Sequence, residues 1–61
     1  MYQTIEQAIR VARHNAKITG NERYIMYEDQ EYDVCAEYDL ETFYLGQNPE
    51  CIVYPDGEIE H

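Results

Sequence analysis

In YIMYEDQEYDVCAEY, residues 24–38, side-chain character alternates with a period of two on both sides of a central Asp29-Gln30 pair. Successive strand residues point to opposite faces. A tight turn at this pair therefore sets Tyr27 opposite Tyr32 and Ile25 opposite Val34, with Ala36 next on that side. The other side receives Tyr24, Met26, Glu28, Glu31, Asp33, Cys35 and Glu37. One register thus accounts for both the apolar and the acidic alternation, and a slip of one residue would exchange the faces. Asp-Gln is a poorer hairpin turn than Asp-Gly, and a longer loop over residues 28–31 would keep the hairpin while blurring the pairing.

Upstream, the period changes. Thr4 followed three positions later by Gln7 forms a capping-box pattern, and Gly20 suits a left-handed helix end. Between them Ile5, Ala8, Ile9, Ala12 and Ala16 make the apolar stripe of an amphipathic helix over about residues 4–19. Arg10, Arg13 and Lys17 gather on a face turned away from that stripe, as a basic patch or an ordinary solvated face.

Downstream, DLETFYLGQNPE at residues 39–50 has no settled form, although Asp39 is placed to cap a short helical turn. Residues 51–54 read as a strand, and Pro55, Asp56 and Gly57 as a turn before a frayed acidic tail. The expected architecture is α+β: an N-terminal helix packed on one face of a three-stranded antiparallel sheet. The 61 residues form one expected domain, which at this length buries only roughly 60% of its unfolded surface. Activity is therefore expected on the outside of the molecule, and binding is favoured over catalysis.

Charge is divided unevenly. All four lysines and arginines lie within residues 1–23 beside two acids, whereas residues 24–61 hold eleven acids and no lysine or arginine, for a net charge of −9. EDQEYDVCAEYDLE, residues 28–41, alone has seven carboxylates. Such self-repulsion opposes compaction. A disordered acidic tail would be poor in aromatics, yet this chain is 44% hydrophobic and has seven tyrosines, so it is expected to fold. Unpaired carboxylates are almost never interior, so the acidic sheet face is expected to look outward without a second covering layer.

Acid–base catalysis needs a carboxyl shifted in pKa within a cleft, and these acids alternate on an expected open surface, so no enzyme is read. Asp29, Glu31 and Asp33 match positions 1, 3 and 5 of a calcium loop, but Val34 replaces the glycine and Leu40 the final glutamate. Cys35, Cys51, His14 and His61 lack any short ligand pair to seed a zinc site, and the two thiols are expected free in a reducing cytoplasm. No cofactor is expected. Direct nucleic-acid binding is disfavoured because phosphates reward lysine and arginine, and no apolar run reaches the roughly 20 residues of a membrane span.

What remains is a surface of carboxylates interleaved with tyrosines: Tyr24, Glu28, Asp29, Glu31, Asp33, Glu37, Tyr38, Asp39 and Glu41, with Tyr44 at its edge. Tyrosine supplies broad, rigid contact area. Alternate strand positions lie roughly 6.7 Å apart, a spacing of the same order as successive phosphates. A cationic groove built for a phosphate backbone would accept such a row; the plainer alternative is that the acids only blunt the edges of a small sheet.

AIRVARHNAKITG leading into YIMYEDQEYDV, then ETFYLG and IVYPDGEIE, resembles the small, acidic, phage-encoded anti-CRISPR proteins, and among them those acting on type I-C systems. The likeness spans nearly the whole chain and rests on overall pattern, not on a signature motif. It implies a stoichiometric, non-catalytic inhibitor; a monomer located in the bacterial host cytoplasm is expected. Its implied partner is a basic nucleic-acid-binding subunit of a type I CRISPR surveillance complex. An antitoxin-like or accessory subunit of an obligate complex is the alternative expectation.

Overall fold

The computed structural model describes all residues 1–61. The first helix, α1 (Ile5–Thr19), begins and ends where its sequence signals stand. Thr4 Oγ1 accepts from the Gln7 amide at 3.2 Å, and Gln7 Oε1 accepts from the Thr4 amide at 3.4 Å. At the other end Gly20 has φ 76°, and its N–H donates to the Ala16 carbonyl at 2.8 Å. Ala8, Ala12 and Ala16 are fully buried, and their small side chains let the helix backbone lie close to the sheet.

Four strands follow: β1 (Arg23–Glu28), β2 (Glu31–Cys35), β3 (Cys51–Val53) and β4 (Ile59–Glu60), in the spatial order β2-β1-β3-β4 and antiparallel throughout. A second helix, α2 (Glu37–Phe43), lies between β2 and β3 in sequence. The α+β architecture agrees with the sequence expectation, with one strand more. The supposed frayed tail is β4: Gly57 (φ 92°) completes a turn in which the Tyr54 amide donates to the Glu58 carbonyl at 2.9 Å. That turn returns Ile59 onto the main core, so the tail has an apolar anchor.

The hairpin register agrees residue for residue, with Ile25 opposite Val34, Tyr27 opposite Tyr32 and Glu28 opposite Glu31. The turn is the tight two-residue form. Asp29 and Gln30 take φ 54° and 65°, the positive values that a type I′ turn demands at both central positions. Gln30 adopts this left-handed conformation at a steric cost glycine does not bear. Gln30→Gly is therefore expected to raise stability by about 1 kcal/mol and the thermal midpoint by roughly 4–8 °C. A melt followed by circular dichroism checks this, and an unchanged or lower midpoint refutes the turn assignment.

The main core lies between α1 and the sheet, where Ala8, Ala12, Ile25, Cys51 and Val53 are buried and Ile5, Ile9, Tyr32, Val34 and Ile59 pack around them. Tyr27 was expected there but is 49% exposed; its ring leans on Tyr32 with centroids 4.8 Å apart. Ala36 leaves the strand and becomes the cap residue of α2.

A larger correction concerns the opposite face, which was expected to stay open to water. Met26, Cys35 and Tyr44 are buried there, with Tyr24 and Leu40 packed against them, so α2 and the residue after it form a second layer. The rule about buried charge is still obeyed, because no polar or charged residue is buried. The face is not uniform along its length. Toward the base of the hairpin it carries Tyr24, Met26 and Cys35, which α2 covers; toward the tip it carries Glu28 and Glu31, which remain in water.

The outer edge of β2 is also occupied. Tyr2 exchanges two backbone hydrogen bonds with Tyr32, at 2.8 and 2.7 Å, and the Val34 amide donates to the Asp33 carboxylate at 3.0 Å. Both devices remove pairing groups from an edge that would otherwise invite another strand.

Candidate acidic interface

Glu28, Asp29 and Glu31 stand exposed at the hairpin tip, and Glu28 and Glu31 are direct cross-strand partners. Like charges in that position destabilise a strand pair. Asp33 sits two residues further along the same side of β2, at the border of the small second core. There Asp33 Oδ2 accepts from the Tyr44 hydroxyl at 2.8 Å and from the Cys35 thiol at 3.6 Å, while Oδ1 takes the Val34 amide. Asp39, in the first turn of α2, accepts from the Ala36 amide at 3.1 Å. It therefore caps α2 from within the helix and does not precede it.

These groups surround two adjoining surface hollows. The larger, of about 510 Å³, is lined by Glu28, Asp33, Asp39, Phe43 and Tyr44, with Val34 and Cys35 behind them. The smaller, of about 230 Å³, is lined by Met1, Glu28, Asp29, Glu31, Asp33 and Tyr44. Glu28, Asp33 and Tyr44 belong to both, and no lysine, arginine or histidine lines either. Five sequence-nominated residues thus converge: Glu28, Asp29, Glu31, Asp33 and Asp39.

The other four do not. Tyr24 packs on the second core and donates its hydroxyl to Glu22 at 2.8 Å. Glu37 begins α2 and does not extend the strand row; with Tyr38 it lines a separate hollow that also holds Arg23. Glu41 is exposed on α2 and lines neither acidic hollow. The expected row along one strand is cut short at Cys35, where α2 crosses it. Sequence reasoning missed Phe43 and Met1, and it missed the role of Tyr44 as the closing residue. The available signal was the four-residue spacing of Leu40 and Tyr44, which places both on one side of a helical turn.

The polar groups at this border are held in their neutral forms. Burial, then the neighbouring Asp33 charge, pushes the Cys35 thiol up to about 12. The hydrogen bond to Asp33, then burial, raises the Tyr44 phenol strongly, and burial followed by the Glu22 bond lifts Tyr24 to about 12. Reactive thiols are thiolates in electropositive, accessible settings; Cys35 has neither feature and is structural.

The sign of the pH effect follows. Each group has a folded pKa above its unfolded one, so the unfolded chain binds fewer protons above pH 9 and stability falls with rising pH. The urea midpoint is expected to be flat from pH 7 to 8.5 and to decline steadily from 9 toward 12. A midpoint that rises over that interval contradicts the assigned burial of Cys35 and Tyr24.

No group of three or more histidine, cysteine, aspartate or glutamate side chains is arranged to hold a metal ion. No helix is long and apolar enough to cross a membrane. No protein-family model, curated protein or solved structure matches this chain.

Proposed function

We propose that this protein is a stoichiometric, non-catalytic inhibitor that seats its acidic hairpin end on a basic nucleic-acid-binding surface and excludes DNA from it. The resemblance of the sequence to small acidic anti-CRISPR proteins makes a subunit of a type I CRISPR surveillance complex the partner of choice. One observation carries the reading: five carboxylates from β1, the turn, β2 and α2 collect around two adjoining hollows that no lysine, arginine or histidine side chain lines. The direct Glu28–Glu31 opposition is a local cost to stability, as expected where charge is kept for a partner.

The test replaces Glu28 by lysine, Glu31 by glutamine and Asp29 by asparagine, which tolerates the positive φ of the turn. Asp33 and Asp39 are left alone because their hydrogen bonds belong to the fold. Removing the like-charge pair should leave the variant at least as stable as the parent, so lost inhibition would not reflect unfolding. Affinity for the effector is expected to fall about 100-fold, and parent affinity to weaken as salt screens the attraction over about 8–10 Å. Retained inhibition by the folded variant refutes the mechanism.

A second reading has its own observation. Met1, Tyr38, Phe43 and Leu45 are each at least 70% exposed, a large apolar complement for so small a chain. An antitoxin-like or accessory subunit would bury such residues in an obligate complex. Light scattering that shows a tight oligomer, with those side chains protected, would favour it over the inhibitor.

A further inference from the structure

The exposed aromatic of α2 is not explained by acidity alone. Phe43 is 70% exposed, has no role in either core, and lines the same hollow as Glu28, Asp33 and Asp39. Its ring offers an unoccupied face beside carboxylates that are already aimed. Asp33 is held by Tyr44 and the Val34 amide, and Asp39 by the Ala36 amide, while each carboxylate keeps further acceptor capacity.

We infer that this cleft between α2 and the β2 edge receives arginine side chains of a basic protein partner, with Phe43 as the stacking surface. A guanidinium is planar, weakly hydrated and always charged; it stacks on an aromatic face while its edge donates to carboxylates, which the compact, strongly hydrated lysine ammonium does less well. Carboxylates held before the partner arrives lose little freedom on binding. Nucleic acid is a poor occupant because no cation lines the hollow. The inference rests on the proposed acidic docking and specifies its partner's chemistry.

The experiment titrates the ¹⁵N-labelled protein with two peptides identical except for arginine or lysine, acetyl-GRGRG-amide and acetyl-GKGKG-amide. The arginine peptide is expected to bind about fivefold more tightly, shifting the amides of Val34, Asp39 and Phe43. Phe43→Ala, at an exposed position outside both cores, should bring the ratio to about one without changing the circular dichroism spectrum. Equal affinities, a preference that survives Phe43→Ala, or shifts centred on α1 would overturn the assignment. So would a homodimer, seen by sedimentation, that Phe43→Ala dissolves, since the occupant would then be a second copy. The two readings fail separately. Equal peptide affinities with inhibition still lost in the hairpin variant sink only the arginine cleft, and arginine selectivity with inhibition intact in that variant sinks only the docking of the hairpin.

Discussion

Tyr44→Ala is expected to cost about 3–4 kcal/mol and to release α2 from the sheet. Tyr44 is the one residue that both fills the second core, beside Met26 and Cys35, and hydrogen-bonds across to β2 through Asp33. Truncation leaves a cavity against Met26 and takes the phenolic donor from a half-buried carboxylate. Tyr44→Phe separates the two contributions: it keeps the ring and loses the donor, and because water reaches Asp33 the expected cost is only about 1 kcal/mol. Urea unfolding gives both values. A thiol reagent supplies the independent readout, since Cys35 is 3% exposed and its thiol is protonated at pH 8. In Tyr44→Ala the reagent should modify Cys35 far faster than in the parent under native conditions. A cost below 1 kcal/mol with Cys35 still protected would show that α2 is not held by this residue.

The same residue marks where the sequence stops being legible. The hairpin could be read because its alternation is long, flanks a two-residue turn and is consistent in only one register. Helix α1 could be read because capping box, stripe and terminal glycine agree. Helix α2 has seven residues, too few to display a helical period, and its first turn is also the continuation of the strand alternation through Ala36 and Glu37. Tertiary packing decides between the two, since Leu40 and Tyr44 gain burial against Met26 and Cys35 only if the chain turns helical. Strand β4 has two residues, below any sequence signal, and is ordered by the turn at Gly57 and by the seat that Ile59 finds on the core.

The acidic site was half legible for a related reason. Counting charges located the carboxylates on one side of the hairpin, but α2 then divided that side. Its helical path turned Glu37 and Tyr38 toward Arg23 and brought Asp39 to Asp33 and Glu28. Linear proximity to the acidic run was therefore a poor guide to membership, and position relative to Tyr44 a good one. The division also sorts the carboxylates: those nearest the second core are fixed by hydrogen bonds, and those at the tip are free. Free ones suit long-range attraction, which salt weakens; fixed ones suit selection among cations at contact.

Ile25→Ala is expected to cost about 3–4 kcal/mol, against about 1 kcal/mol for Ile25→Val. Ile25 is fully buried at the centre of the sheet, between Val34 on β2 and Cys51 on β3, and it lies in the main core with Ala8 and Ala12. The alanines that let α1 approach cannot swell to fill a hole. Relaxation would need the helix to move as a body, and Thr4 and Gly20 fix where that helix begins and ends, so the cavity is expected to persist. A single core in a chain of 61 residues supplies roughly 3–5 kcal/mol, so the alanine variant should sit near the folding threshold while the valine variant stays folded. Denaturant titration distinguishes the cases: Ile25→Val should lower the urea midpoint at unchanged slope, and Ile25→Ala should lack a native baseline at 37 °C. Because the acidic hollows depend on the β1–β2 register, the basic partner proposed above should restore folding of Ile25→Ala when present well above its dissociation constant, adding about 2.7 kcal/mol at a hundredfold excess. Rescue by the partner without rescue by an equal ionic strength of simple salt would tie the register of β1 to the binding surface; rescue by salt alone would mean that only self-repulsion had been relieved.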